Sequence, residues 1–437
     1  MRRWLVRAGL APAIGVVLAV AIVLPGGGAA HAATAGTATT TVSGAAVSDA
    51  QCTFDTVVLC QSEDPTVAID AGYTDVSTCT FVWDIAWGDG TSSDVSNVDP
   101  ANGTEVLARH TYKKPGTYAI SPSGQVTVGN CTISTEGYVF SLVEPLVALG
   151  DSYSSGEGDS DFIPGTNTSS DQCHRSYNAA AELLYASQDL GDIDFVACSG
   201  AITDDFFSAN NEGNHELAQS KALSATTRIV SLTFGGNDIG FSSVLDQCAY
   251  GKVTKVIVHG SDCSKDTALK AIVAKRLQAL AGKASAKTPS GKTIHSIASV
   301  LQSIHRLAPN AKIYLAGYPL LFGSNIRTEC GVGTIIADGI HVALKLNKTE
   351  VAWLNSVGTS LNQVLSSTAA ANDATFVNVS PKFNSHRFCD TSTSWFNPVT
   401  GSYGIKSGVL KVAVGSFHPT PTGQKSGYEA AYEAAGL

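Results

Sequence analysis

From Pro145 to the C-terminus the chain alternates short continuous apolar runs with stretches of helical length, a pattern that few folds satisfy. The runs are Leu146-Val147-Ala148-Leu149, Ile193-Asp194-Phe195-Val196-Ala197, Ile229-Val230-Ser231-Leu232-Thr233-Phe234, Ile313-Tyr314-Leu315-Ala316 and Thr375-Phe376-Val377-Asn378-Val379. Between them, helices are expected over 176–187, 264–284, 293–307 and 349–371. Strand and helix alternate, so residues 145–437 are expected to form an α/β domain with a mostly parallel sheet. Such sheets carry their chemistry at the carboxyl ends of the strands.

Three of those ends are unusual. The first run leads into Gly150-Asp151-Ser152-Tyr153-Ser154-Ser155-Gly156-Glu157-Gly158, the second into Cys198-Ser199-Gly200-Ala201, the third into Gly235-Gly236-Asn237-Asp238. Near the C-terminus stands Phe417-His418-Pro419. A serine between a strand end and a helix start can be exposed beside free backbone N–H groups that bind an anion. Gly200 lets its N–H approach a reacting oxygen closely. Asn237 offers an amide donor, and His418 is a base. Together they compose a hydrolase: Ser152 as nucleophile, His418 as base, and the Ser152 N–H, Gly200 N–H and Asn237 amide as an oxyanion hole. The bland alternatives are a helix N-cap for Ser152, a turn for Asn237 and tight packing for Gly200. Asp151 and Asp238 are expected to brace loops. His174 and His386 lie beside cysteines and are weaker candidates. No G-x-S-x-G elbow or Walker-type phosphate loop occurs.

Residues 51–144 are expected to be all-β. Runs such as Thr80-Phe81-Val82-Trp83-Asp84-Ile85-Ala86-Trp87 and Tyr138-Val139-Phe140-Ser141-Leu142-Val143 are bounded by turn signals such as Gly88-Asp89-Gly90, the pattern of a small sandwich. Residues 33–50, of Ala, Thr, Ser, Gly and Val with a single Asp, have linker composition. Residues 1–32 read as an export signal: Arg2, Arg3 and Arg7, then an apolar run from Leu10 to Leu24, then Ala30-His31-Ala32 as a cleavage pattern. That run is shorter than the roughly 20 residues needed to span a bilayer. The mature protein is therefore expected to be secreted and soluble, by the general or the twin-arginine route.

The charge balance excludes one class of partner. With 28 Lys+Arg against 37 Asp+Glu, the chain is a poor nucleic-acid binder, because phosphate contacts need basic clusters. Its ten cysteines, an even number in an exported chain, favour disulfides over zinc, and no C-x-x-C or H-E-x-x-H spacing occurs. No metal or cofactor is expected.

The four blocks, in this order, resemble the SGNH hydrolases, also called GDSL esterases and lipases. The long G-D-S-Y-S-S-G-E-G block and Ala197-Cys198-Ser199-Gly200-Ala201 are similar to the secreted actinobacterial branch. The resemblance covers nearly all of residues 146–437. It implies a three-layer α/β/α fold and a secreted carboxylic-ester hydrolase, an esterase or lipase acting on an ester or lipid through an acyl-enzyme on Ser152. A phospholipase or polysaccharide deacetylase on the same site, or an inactive adhesion or polymer-binding protein, are the alternatives. In that branch the cysteines pair sequentially, which implies Cys173–Cys198, Cys248–Cys263 and Cys330–Cys389. Sequential pairing is also the simplest connectivity for Cys52–Cys60 and Cys79–Cys131, where other pairings stay open.

One position departs from the family. The last block is usually D-x-x-H, and here Gly415 replaces the Asp. The expectation is a Ser-His dyad in which the Gly415 main-chain carbonyl orients His418, with Asp390 as the rival carboxylate. Upstream, Trp87-Gly88-Asp89-Gly90-Thr91 followed by His110-Thr111-Tyr112-Lys113-Lys114-Pro115-Gly116-Thr117-Tyr118 resembles the PKD family of immunoglobulin-like modules. There Asp89 and His110 would be structural, and the module would bind a polymer or cell-surface ligand. The chain is expected to be a monomer.

Overall fold

The structure is a computed structural model that describes residues 37–43 and 52–437, except 55–57, 63–65, 77, 98–100, 113–115, 136, 143–144, 189, 191, 211–215, 250–261 and 405–408. The expected export signal lies outside the described residues. Among the described residues, no helix is long and apolar enough to cross a membrane.

The N-terminal part is built of two mainly antiparallel sheets. One has the order Gly103–Thr111, Thr66–Thr74, Thr37–Ser43, Thr132–Ser134. The other runs Cys52–Phe54, Val58–Ser62, Tyr138–Leu142, Gly116–Val128, Thr80–Ala86, Ser92–Asn97. Strand Thr80–Ala86 alternates strictly, burying Phe81, Trp83 and Ile85 and exposing the residues between, as a half-covered strand must. These side chains share a core with Ile69, Trp87, Tyr112 and Phe140, and Cys79–Cys131 is bridged. Asp89 accepts hydrogen bonds from the Thr91 N–H (3.0 Å) and hydroxyl (2.6 Å) and lies 2.8 Å from His110 Nε2. The His110 ring stacks on Trp87. Both residues therefore hold a turn in place.

Of the expected linker over 33–50, only 37–43 lies among the described residues, and that part is extended and paired. Thr37–Ser43 is a strand paired antiparallel to Thr66–Thr74 and parallel to Thr132–Ser134. Its composition gives it little to bury, yet main-chain ladder bonds need no apolar side chain, and a run rich in β-branched Thr favours the extended backbone.

From Pro145 the expected α/β domain follows. A five-stranded sheet has the order Ile193–Phe195, Leu146–Gly150, Ile229–Thr233, Lys312–Ala316, Thr375–Val377, with every neighbouring pair parallel. The two strands Leu146–Gly150 and Ile229–Thr233 are buried along their whole length. Helices Thr267–Leu280 and Ile297–Leu307 pack against Lys348–Ala371, while Ala180–Gln188 packs against Gly423–Glu429. In Ile297–Leu307 the residues Ile297, Val300, Leu301 and Ile304 make one buried face, and Ser296 caps the first turn through Ser299 N–H. Strand order reverses direction between Leu146–Gly150 and Ile229–Thr233, and a crevice at the carboxyl ends of the strands is expected there.

A second, four-stranded sheet was not expected from sequence. Its order is Ile340–Asn347, Glu329–Ala337, Val399–Gly404, Val409–Val412. A local signal did exist: Asp338 (φ +43°) and Gly339 (φ +88°) form the two-residue turn of a hairpin. The last strand of this sheet leads directly into the segment that carries His418.

Candidate active site

Strand Leu146–Gly150 ends in a turn that only glycine allows. Gly150 has φ +116°, and a Cβ there would meet Thr233 O at 2.4 Å. Helix Ser152–Ser155 starts at once, and its N-cap is Asp151, which accepts from Tyr153 N–H at 3.0 Å. Capping is thus done by Asp151, and the Ser152 hydroxyl is left for other work. Asp151 is buried and also accepts from the hydroxyls of Thr233 (2.6 Å) and Tyr318. Burial pushes its carboxyl up to about 6, against the pull of those hydrogen bonds. Asp238 likewise accepts from Thr203 Oγ1 at 2.6 Å and Thr203 N–H, and burial pushes it up to about 7. Both aspartates brace loops.

His418 Nε2 lies 2.8 Å from Ser152 Oγ, across 266 residues of sequence. On the other side of the ring, Nδ1 lies 3.1 Å from the Ser416 carbonyl oxygen. This pattern puts the proton on Nδ1 and the lone pair of Nε2 toward the serine. The expected carbonyl was that of Gly415, and this is corrected: Gly415 O accepts the backbone N–H of His418 at 3.1 Å in a tight turn. Phe417, at φ +65°, reverses the backbone so that the next carbonyl, Ser416, meets the ring. Asp390 is occupied elsewhere, with Arg387 Nε at 2.8 Å. Burial pulls the His418 imidazole below its ordinary value, while the charge of Glu157 and the main-chain carbonyls of Ser416, Gly415 and Val414 push it back up.

Gly200 follows Cys198, which is bridged to Cys173, and has φ +80° with open space where a side chain would stand. Asn237 gives one amide N–H to Ala201 O at 3.0 Å. The Ser152 N–H, the Gly200 N–H and the second amide N–H of Asn237 have no acceptor among the described residues. A cavity of about 210 Å³ opens over Ser152, His418 and Asn237, with Phe241, Leu245, Tyr318, Leu361 and Val414 among its walls. Gly200 lines a neighbouring hollow that shares Asn237 with it.

Of the weaker candidates, His174 is buried and pairs with Glu157 at 2.7 Å. His386 stacks on Trp395 and bonds Thr393 O, and among the described residues no hydrogen bond or ring contact joins it to Ser152 or His418. Sequence reasoning missed Tyr318, whose hydroxyl also accepts from Gly236 N–H at 3.1 Å and so ties the first and third blocks together. Cys248–Cys263 and Cys330–Cys389 are bridged. The expected Cys52–Cys60 bridge lies outside the described side chains, although the two backbones are cross-strand partners.

Residues 148–425 match the GDSL-like lipase/acylhydrolase family. The chain belongs to that family. Lipase 1 of Streptomyces coelicolor is 32% identical over 283 residues, 64% of this chain and 83% of the relative. A lipase of Streptomyces rimosus is 29% identical over the same length, with the same coverage. Among solved structures, phospholipase A1 from Streptomyces albidoflavus NA297 aligns with a TM-score of 0.50 and 28% identity, covering 67% of this chain and 99% of that one. As a GDSL-family protein with lipases and an esterase among its relatives, the chain is a carboxylic ester hydrolase.

Proposed function

We propose that this GDSL-family chain is a secreted serine esterase or lipase that works through an acyl-enzyme on Ser152. The observation that carries the proposal is the 2.8 Å separation of Ser152 Oγ and His418 Nε2 in the lining of a cavity that Phe241, Leu245, Leu361 and Val414 also wall. In the forward half-reaction His418 takes the Ser152 proton as the hydroxyl attacks the ester carbonyl. The Ser416 carbonyl holds Nδ1–H and keeps Nε2 aimed at the serine. The unpaired N–H groups of Ser152, Gly200 and Asn237 supply the donors for the oxyanion, each worth about 2.7–4 kcal/mol on removal. The imidazolium then protonates the leaving alcohol, and water, activated by the same base, releases the acid. The apolar wall suits an acyl chain.

Export is part of the same proposal, on the strength of the basic and apolar N-terminus and the bridged cysteines. The N-terminal sandwich acts as a PKD-like module that holds a monomeric enzyme on a polymeric or cell-surface ligand and raises its local concentration there.

The test is Ser152→Ala with an organophosphate labelling assay beside it. The folded variant should lose ester turnover to near background and take up no label. A folded Ser152→Ala that keeps more than a few per cent of activity would sink the assignment.

A further inference from the structure

We propose that Asn397 is a positioning residue for the base: its side-chain amide clamps the His418 segment onto the loop that follows Ser152, and the clamp keeps the imidazole aimed at the serine. This rests on the ester-hydrolase reading and adds a residue to it.

The ring has an unusual support. Its Nδ1 meets the Ser416 carbonyl oxygen at 3.1 Å, in the histidine's own turn. A carbonyl two residues away can hold the ring no better than that turn is itself held. The turn includes Phe417 at φ +65°, a conformation that a bulky residue keeps only when its surroundings impose it. The aim of His418 therefore depends on what grips the backbone on either side. Residues 395–397 supply the grip by lying antiparallel to 417–420. Asn397 O accepts the Phe417 N–H at 3.0 Å, Asn397 N–H donates to His418 O at 2.9 Å, and Trp395 O accepts the Thr420 N–H at 2.8 Å. Phe396 and Pro419 form the bridge between the two segments. The Tyr153 hydroxyl adds a hold on Phe417 O at 3.1 Å.

The Asn397 side chain carries this grip across to the nucleophile. Its Nδ2 donates to Gly158 O at 2.8 Å and to His418 O at 3.3 Å. An amide NH₂ has two protons for two carbonyl acceptors, and an isosteric carboxylate has none. Gly158 in turn ends a loop bonded to the nucleophile, since the N–H groups of Gly156 and Glu157 donate to Ser152 O at 3.2 Å and 3.1 Å. A short chain of hydrogen bonds thus joins Ser152 to His418 through Asn397. The fit is tight: a Cβ on Gly158 would collide with Pro419 O and stand 2.8 Å from Asn397 Nδ2. A Cβ on Gly415, where the family's Asp would begin, would have Glu157 O and Gly158 Cα at 3.5 Å and Asn397 Nδ2 at 3.9 Å. The clamp borders the place which that Asp would take. Asn397 is not among the residues of the cavity wall, so it acts through His418 and not by touching substrate.

The experiment compares two leaving groups. As Ser152 attacks, His418 takes its proton, and the imidazolium then gives a proton to the departing alcohol. Ethanol needs that proton to leave; p-nitrophenolate departs without it. A misaimed ring therefore costs the ethyl ester more, and the amount of folded protein cancels in the ratio of the two. The purified mature protein is given ethyl butyrate and p-nitrophenyl butyrate, and kcat/KM is measured for each. Asn397→Ala should lower kcat/KM about tenfold on the p-nitrophenyl ester and about 10²-fold on the ethyl ester. Asn372 is the control, a half-buried asparagine that donates to Thr368 O at 2.8 Å and accepts from Gln302 Nε2 at 3.0 Å. Asn372→Ala should leave the ratio unchanged. Asn397→Ser, whose hydroxyl is too short to span both carbonyls, reads the same ratio if Asn397→Ala does not fold. Equal falls on the two esters, or no fall, would overturn the positioning role while leaving the ester hydrolase intact. The same change of ratio in Asn372→Ala would overturn the assignment to Asn397. No turnover of either ester by the parent protein would instead remove the parent reading.

Discussion

Nδ1 of His418 lies 3.1 Å from the main-chain carbonyl oxygen of Ser416, with no carboxylate in contact with the ring among the described residues. The Asp three residues ahead that the family usually carries is Gly415, whose carbonyl is taken by the backbone of His418. A neutral carbonyl can fix the tautomer but stabilises the imidazolium less than a carboxylate does. Asp390→Asn should accordingly leave kcat/KM within a fewfold. Loss of a carboxylate that did orient the histidine would cost about 10⁴ in rate, and a fall of that size on this substitution would restore the triad.

The acid limb of activity follows from the same ring. Burial lowers the His418 pKa from its ordinary 6.5, and in the proposed role of base His418 must be neutral. Activity must therefore persist as pH falls and drop only below 6.5, as the ring takes a proton. Glu157 raises the His418 pKa through its charge. Glu157→Gln removes that charge and should move the limb further to acid. A pH profile of kcat/KM that moves the other way would contradict this account.

Asp159 predicts a pH-dependent stability. Its side chain is buried, neither carboxylate oxygen has a partner among the described residues, and burial pushes its pKa from 3.8 up to about 7. Between those values the folded chain keeps a proton that the unfolded chain has released. This contribution to stability is present below 3.8 and is lost as pH rises toward about 7. Asp159→Asn should melt higher than the parent at pH 8 and about equally at pH 4, as read by calorimetry. Equal destabilisation at both would show that the carboxyl is needed for packing.

Gly358 sits inside helix Lys348–Ala371 and lines the apolar cavity. Glycine in a helix interior costs about 0.5–1 kcal/mol against alanine, so its place there is best explained by the space it leaves. A Cβ would meet only Leu320 Cδ2, at 3.2 Å. Gly358→Leu should cut the ratio of hexanoyl to acetyl ester turnover about tenfold, as lost burial of roughly two methylenes would. An unchanged ratio would mean that the acyl chain lies elsewhere.

Residues 145–437 alone should hydrolyse a small soluble ester at close to the rate of the mature chain. The sandwich core around Trp83 and the α/β core around Leu149 have no residue in common. Ser152, Gly200, Asn237 and His418 all lie in the α/β segment, within residues 148–425. A truncated protein that folds but is inactive on the soluble ester would show that the sandwich completes the site.

Much of the domain was legible because its signals are local. Leu146–Gly150 and Ile229–Thr233 are apolar runs that any core would bury, and Gly150, Gly200 and Asn237 stand at strand ends where sharp turns are needed. The order of the four blocks carried the family. The strand at Thr37–Ser43 was not legible, since it is held by ladder bonds to partners far along the chain. The hairpin Glu329–Asn347 had its Asp338-Gly339 turn in plain sight, but its place beside Val399–Gly404 depends on a long-range pairing.

The orienting carbonyl marks the same boundary at the site. That a histidine near the C-terminus was the candidate partner of Ser152 followed from residue types and their order. Which oxygen holds that histidine did not, because it turns on the left-handed backbone of Phe417 and on a turn closed by the histidine's own N–H. By itself the sequence determined which groups could react and at which strand ends they stand. Only the tertiary structure decided the 2.8 Å approach of His418 to Ser152 and the choice of Ser416 over Gly415. Distances of that kind come from loop closure across 266 residues and from backbone dihedrals, which residue types bias but do not set.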